Sequence, residues 1–328
     1  MGNTGPIRLG FIGCGGIAGS HLRSLKTLPE FTVVAACDIN RERAEAFAAD
    51  AGAEGIYTDW HTMLDDAELD AIDICTPHTL HHEPAIAAAQ RGLHVLTEKP
   101  MATELADCDA MIAAAEANSV VLMVAQVLRF RAPHLAARQL IDDGRIGEVR
   151  NIIRRRWSFT KSIASEPWAD NPALAGGWVL YGFGTHEADL MLWLTRSEAV
   201  SVFAMGRKIN PHWNDHDDIT IQAELSNGAM ALETHSVNSR ASAWDCVVMG
   251  TEDSLYLSGD NITIGEETLN VPMQEFNGMR DELAEFAAAI AQGREPEASG
   301  RDVRKTMVLL EAAKISMREG RIVDASRL

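Results

Sequence analysis

Ile7-Arg8-Leu9-Gly10-Phe11-Ile12-Gly13-Cys14-Gly15-Gly16-Ile17-Ala18-Gly19 is a short apolar run that breaks into a glycine-dense turn, and an amphipathic pattern through Ile17, Leu22, Leu25 and Leu28 follows at once. The succession reads as strand, tight turn and helix. This is the geometry that a dinucleotide pyrophosphate needs: Gly13 makes the turn, Gly15 lets the backbone approach the phosphates, and Ala18 stands at the third small position, where helix packs on strand. The phosphates are expected on the unpaired N–H groups that open the helix, around Gly16 and Ile17, at the positive end of its dipole.

Working outward, Phe31 to Cys37 is a β-rich run that ends in Asp38, twenty residues beyond Ala18. An acid at that distance accepts hydrogen bonds from the adenosine ribose and repels a 2′-phosphate, so NAD is expected over NADP. Arg41 and Arg43 leave NADP open, because an arginine in that loop can accommodate the extra phosphate. Apolar strands then alternate with helical patterns up to the strand Val120 to Val124, including a helix capped by Thr103. The alternation predicts a doubly wound parallel sheet.

Past Pro133 the texture changes to longer β-patterned runs at Val149 to Phe159, Val200 to Met205, Ile219 to Leu225, Ala229 to Val237 and Trp244 to Met249. Ser226-Asn227-Gly228 between two of them is a hairpin signal. A helix from about Val179 to Leu194 interrupts the strands, and amphipathic helices at about Met279 to Gln292 and Asp302 to Arg318 close the chain. The expectation is an α/β protein: a dinucleotide-binding Rossmann domain over residues 1–125, then an α+β domain over 126–328 with an open, largely antiparallel sheet. One face of that sheet is free to pair with another subunit, so a homo-oligomer, dimer or tetramer, is expected.

Composition narrows the function classes. In 328 residues, 46% are hydrophobic and 23% charged, as in a globular enzyme. The formal charge of −18 argues against a nucleic-acid partner, and the Arg154-Arg155-Arg156 triplet, set in a strand, reads as a solvated or interfacial sheet face. No apolar stretch approaches the roughly 18 residues of a membrane span, so no membrane partner is expected. With no signal-peptide pattern, and with Pro6 spoiling a myristoylation motif at Met1-Gly2, the cytoplasm is the expected location. The five cysteines form no CxxC pair, and they read as thiols in a reducing compartment. His212 to Asp218 holds two histidines and three aspartates but lacks paired ligand spacing, so it reads as an exposed loop, and no metal is expected.

Val95-Leu96-Thr97-Glu98-Lys99-Pro100 falls about 85 residues beyond the glycine loop, and here the chain resembles the glucose–fructose oxidoreductase / inositol dehydrogenase / rhizopine-catabolism (Gfo/Idh/MocA) family. Thr76-Pro77 with His81, Arg129-Phe130, Trp168, Gly176-Gly177 and the run Gly184-Thr185-His186-Glu187-Ala188-Asp189 extend the resemblance over nearly the whole chain. It implies an NAD(P)-dependent dehydrogenase or reductase moving hydride to or from a secondary alcohol or ketone of a sugar, sugar derivative or cyclitol. Thr76, Pro77, His81, Glu98 and Lys99 would border the cofactor. Arg129, Trp168, Trp178, Tyr181, His186 and Asp189 would shape the substrate site.

Each role has a chemical rationale. An ammonium at a strand's carboxyl end stabilises developing alkoxide charge, which suits Lys99. A histidine near neutrality exchanges the hydroxyl proton as hydride leaves carbon, which suits His186. Glu98 is placed to hold Lys99, and Pro100 to fix the turn. The sequence departs from the family where an aspartate commonly stands, at Gly182, and where a third glycine is replaced by Trp178. Two other readings stay open: a glycosidase using NAD in transient oxidation and elimination, and a non-catalytic dinucleotide sensor.

Overall fold

A computed structural model describes residues 5–161, 168–272 and 277–328, so Met1-Gly2 lies outside the described residues. The chain forms two compact units. In the first, β1 (Ile7–Ile12), α1 (Gly16–Leu25), β2 (Phe31–Cys37), α2 (Arg41–Ala51), β3 (Gly55–Tyr57), α3 (Trp60–Asp66), β4 (Ala71–Ile74), α4 (His82–Gln90), β5 (His94–Glu98), α5 (Leu105–Ala117) and β6 (Leu122–Ala125) follow one another. The strands pair in parallel in the order β3-β2-β1-β4-β5-β6. Leu9, Phe11, Ile72, Ile74, Val95 and Leu96 are all 0% exposed, as expected of strands covered on both faces.

β1 has β2 on one side and β4 on the other, so the winding reverses there, and ligands of such sheets lie beyond the carboxyl ends of the strands at the reversal. The Gly13 turn, Asp38, Thr76 and Lys99 all follow such ends.

The second unit continues with α6 (Ala132–Asp142), β7 (Val149–Phe159), α7 (Pro172–Ala175), a wide π-helical turn (Val179–Gly184) and α8 (Thr185–Thr195). β8 (Ala199–Arg207), β9 (Asp218–Leu225), β10 (Met230–Ser236), β11 (Asn238–Gly250), β12 (Ser254–Ser258), β13 (Asn261–Ile264) and β14 (Glu267–Asn270) come next. Two helices, α9 (Asn277–Gln292) and α10 (Gly300–Glu319), and the short β15 (Val323–Asp324) end the chain. The sheet runs β14-β13-β12-β11-β7-β10-β9-β8-β15 and is antiparallel except for the β7 and β10 pair. The hairpin falls at Asn227-Gly228, where Gly228 has φ +82° and the Asn227 side chain accepts from Ala229 N at 3.0 Å.

Four details differ from the sequence reading. Residues 278–303 join the first unit, where Phe286 stacks on Phe31 at 6.4 Å and Val124 N donates to Ala298 O at 2.9 Å. Strands β12 to β14 extend the second sheet. α5 begins at Leu105, two residues beyond Thr103, whose carbonyl accepts from the Tyr181 hydroxyl at 2.9 Å. The helix expected from Val179 is two elements: the backbone takes the wider π form over Val179–Gly184, where Gly182 and Gly184 are poor α-helix formers, before α8 starts.

Candidate active site

The glycine loop is built for a close approach. Gly13 has φ +91°, and a Cβ there would lie 2.6 Å from the Cys75 carbonyl oxygen, so only glycine fits. A Cβ at Gly15 would meet nothing within 4 Å, which leaves the mouth of the loop open. α1 begins with no side-chain cap and no acidic residue in its first turn, so its N–H groups and positive dipole end are left for an anion. Gly16 and Ile17 are exposed there, while Ala18 is 0% exposed against the sheet. Asp38 ties the loop to the end of β2: its carboxylate accepts from Cys14 N at 2.9 Å and from Asn40 N at 2.8 Å. This is an uncapped, glycine-lined cradle with an acid at its rim, and it fits a dinucleotide.

Across the same sheet, the turn after β5 is held from beneath. Glu98 accepts from Lys99 N at 3.0 Å, and its other oxygen lies 3.3 Å from His21 Nε2. His21 Nδ1 contacts Asp73 at 2.7 Å, and Cys75 Sγ reaches that carboxylate at 3.4 Å. His21 and Asp73 are 0% exposed. Burial alone would lower the His21 pKa, but the charge of Asp73, with its hydrogen bond, outweighs it and holds the ring well above 6.5. Burial would likewise raise Glu98, yet the hydrogen bond and charge of His21 keep it below its usual range. The ring is therefore a cation between two carboxylates.

His21, Asp73 and Cys75 are also grouped closely enough to hold a metal ion, and in this arrangement the His21 ring bridges Asp73 and Glu98. His81 is fully buried with Nδ1 2.7 Å from Pro100 O and Nε2 2.9 Å from Thr76 O, so it ties the Thr76-Pro77 turn to the Lys99-Pro100 turn, whose peptide bond is cis. Its pKa is lowered by burial against the pull of the Pro100 carbonyl. Lys99 itself is half-buried.

The second unit presents His186. Every other residue of α8 is buried, and His186 alone reaches the surface of that helix, one turn after Gly182. Asp189, three residues on, faces the other way chemically: Arg129 grips both its oxygens at 2.7 and 2.6 Å, Thr306 Oγ1 adds a bond at 3.0 Å, and both ion-pair partners are 2% exposed or less. Tyr181 is 1% exposed, with its hydroxyl on Thr103 O and its pKa raised by burial. The structure thus gives Arg129, Asp189 and Tyr181 to the framework under α8.

Trp168 and Trp178 are half-buried and meet edge to face at 5.2 Å, and Trp178 meets Phe183 at 6.3 Å. A Cβ on Gly182 would sit 3.0 Å from two indole carbons of Trp178. The two departures from the family pattern are therefore one: the indole occupies the space above residue 182 into which a side chain would project.

Two motifs read otherwise from sequence resolve differently. His212 to Asp218 is not simply an exposed loop: Trp213 is 3% exposed, and Asp217, at 0%, accepts from Ile209 N and Asn210 N. Arg154 is no surface residue either, being 2% exposed in an ion pair with Glu187. Sequence reasoning missed His21 and Asp73. The available signal was a histidine on the apolar face of α1 and an aspartate inside an apolar strand.

With this geometry in hand, the comparisons are informative. Residues 7–126 match the oxidoreductase family with an NAD-binding Rossmann fold, and residues 134–256 match the GFO/IDH/MocA C-terminal domain. A D-apiose dehydrogenase of Paraburkholderia graminis is 30% identical over 97% of this chain and 89% of its own. A myo-inositol 2-dehydrogenase of Thermotoga maritima is 26% identical over 97% and 98%. The crystal structure of an oxidoreductase from Agrobacterium radiobacter, in complex with NAD+, L-tartaric acid and magnesium, superposes with a TM-score of 0.91 at 24% identity over 98% of this chain and 99% of that one.

Proposed function

The chain belongs to the Gfo/Idh/MocA oxidoreductase family, and from that premise we propose that it interconverts a secondary alcohol and a ketone on a sugar, sugar derivative or cyclitol. It is an NAD-binding oxidoreductase of the sugar and cyclitol dehydrogenase type. NAD, when bound, supplies the hydride acceptor or donor. The chain's own part is to orient and to move one proton. Lys99 donates a hydrogen bond to the reacting oxygen and stabilises its partial negative charge. His186 takes the hydroxyl proton on oxidation and returns it on reduction. Glu98 fixes the backbone from which Lys99 projects, and His81 fixes the facing turn; both act by positioning.

The observation that carries this reading is the placement of Glu98-Lys99 at the carboxyl end of β5, in the sheet whose β1 end bears the Gly13 cradle. Nicotinamide absorbance followed over a panel of sugars and cyclitols tests it, and net, substrate-dependent formation of NADH is expected. Cleavage of a glycoside without net NADH would replace it with the elimination reading. Tight NADH binding with no turnover of any panel member would replace it with the sensor.

A homo-oligomer and a cytoplasmic location belong to the same proposal. Met205 and Met230 lie on the open face of the second sheet at 59% and 60% exposure, an apolar surface suited to a second copy of the chain. Sedimentation as a monomer at working concentration would overturn that part. No described helix is long and apolar enough to cross a membrane, and the five cysteines are free, which supports the location.

A further inference from the structure

The three arginines of β7 part company in the sheet. Arg155 turns to the open face and pairs with Asp245, with Nε at 2.8 Å. Arg154 and Arg156 turn to the face covered by α8. Arg154 uses up Glu187: its Nε donates to that carboxylate at 2.6 Å, and Trp244 Nε1 donates to the other oxygen at 3.2 Å. Arg156 is left with the same carboxylate at 3.5 Å. Its guanidinium stacks instead on Phe183, 4.2 Å from the ring centre, and on Trp244 at 5.4 Å. Arg131 lies 5.0 Å from the centre of the same Trp244 ring and, among the described residues, has no carboxylate partner.

The charges around this point do not balance. Arg131, Arg154 and Arg156 gather around Glu187. Glu233 and His235, 3.1 Å apart and fully buried, are hydrogen-bonded to each other. His134 stays neutral: burial, then the charge of Arg154, takes its pKa down to about 3, and its Nδ1 sits 2.7 Å from Leu128 O. Three guanidinium groups thus face the single carboxylate of Glu187, in a chain whose formal charge is −18. Burial, then the charge of Arg156, lowers the pKa of Arg131, and burial also lowers that of Arg156, so each is held at a cost. Among the described residues the nearest carboxylate to either group is Glu187, 3.5 Å from Arg156 and already held by Arg154, whereas an oxyanion would engage both directly: guanidinium forks bind carboxylate and phosphate two oxygens at a time, and stacking on an aromatic ring fixes their planes.

We propose that Arg131 and Arg156, stacked on Trp244, are the seat for an oxyanion carried by the substrate, so that the preferred substrates are sugar acids or sugar phosphates rather than neutral polyols. The assignment of the anion to the substrate rests on the oxidoreductase reading above. The local chain supports it. Phe183, which carries Arg156, stands three residues before His186 and touches Trp178, which touches Trp168. The rings form a wall for the apolar face of a sugar, with the cations at one end of it.

The test uses the full chain loaded with NADH. Calorimetry measures the binding of aldonates, hexuronates and hexose phosphates, each beside its uncharged parent, with inorganic phosphate alone as a further probe. Turnover of the same compounds is recorded in parallel with NAD+ in place of NADH, so that each alcohol has a hydride acceptor. At least one charged member is expected to bind about 10- to 100-fold more tightly than its parent, with an advantage that shrinks as salt is added. Arg131→Met and Arg156→Met are each expected to bring that charged-to-uncharged ratio close to one, and Arg131→Lys to restore part of it. The proposal is overturned if no charged member outbinds its parent, or if the variants weaken charged and uncharged compounds alike. It is equally overturned if inorganic phosphate binds as tightly as any carrier, since the seat would then serve a free ion. Arginine-dependent binding of charged probes without turnover would keep the seat and remove the hydride-transfer reading. Turnover of neutral polyols without charge preference would do the reverse.

Discussion

The turn at Gly13 to Ala18 and the turn at Val179 to His186 both open a helix, yet they are built by opposite means. The first works through backbone: an uncapped helix start, a glycine with φ +91°, and no side chain in the way. The second works through side chains: a wide turn that leaves His186 as the one unburied residue of α8, with Trp178 laid over Gly182. The difference teaches where specificity resides. A backbone cradle can hold the same ligand in many chains, whereas a wall of side chains belongs to one of them.

The largest expected effect separates chemistry from cofactor binding. Lys99→Ala removes the ammonium that steadies the reacting oxygen, and kcat is expected to fall about 10³-fold. The dissociation constant for NADH, measured by fluorescence, should move less than about threefold, because the Gly13 cradle is intact. Loss of NADH binding in step with turnover would show that the two regions are not separable in this way.

The buried support of that lysine comes next. His21→Asn leaves Asp73 and Glu98 facing each other without a cation, and breaking a buried pair of this kind costs about 3 kcal/mol of unfolding free energy. The pH dependence has a definite sign. His21 is raised in the fold, so its contribution is complete below 6.5 and is lost as pH rises through its folded value. Glu98 is lowered, so its contribution is complete above 4.5 and is lost as pH falls through its folded value. Denaturation of wild type and variant across pH should therefore show their difference greatest between 4.5 and 6.5. A difference that is flat with pH would mean that His21 fills space and carries no charge.

How much of this was legible in the sequence follows the same divide. β1 and β7 run over the residues that their apolar patterns marked, and Gly228 sits in the hairpin that Asn227-Gly228 announces, because period and turn chemistry are local. β12 to β14 were not legible: strands of four or five residues give too few alternations to count, and only Leu255, Leu257, Ile262 and Ile264 mark their buried side. The attachment of 278–303 to the first unit rests on Phe31 meeting Phe286, a contact with no local trace. In the candidate site, Gly13, Asp38 and Lys99 announce themselves by spacing along the chain. The pairing of Arg129 with Asp189, and the gathering of Arg131 and Arg156 on Trp244, depend on register across a sheet and helix that no spacing reveals.

The comparison is sharpest when one methyl group is added to each turn. Gly13→Ala drives a Cβ to 2.6 Å from the Cys75 carbonyl, a backbone atom that cannot swing away, at a φ that costs alanine further. A loss of about 2 kcal/mol in stability is expected, with NADH affinity reduced at least about tenfold. Calorimetric unfolding and NADH titration check the pair of effects, and an unchanged affinity would mean that the turn relaxes without disturbing the cradle.

Gly182→Ala is the smallest change and the most discriminating. Its Cβ would lie 3.0 Å from Trp178 Cδ2 and Cε2, and the backbone there is not in the left-handed region, so alanine itself is tolerated. What must give is the indole, by a few tenths of an ångström, and a half-buried ring that meets Trp168 and Phe183 edge to face can tilt. The stability change is expected to stay below about 1 kcal/mol. The tilt moves the aromatic wall and not His186, so KM for the substrate should shift by about two- to fivefold, with kcat altered less than KM. Because the substitution leaves the Gly13 cradle itself unchanged, NADH affinity should stay at the wild-type value. A fall in kcat at constant KM would show instead that the wide turn sets the position of His186 and that Trp178 is there to hold the turn, which would turn a specificity element into a catalytic support.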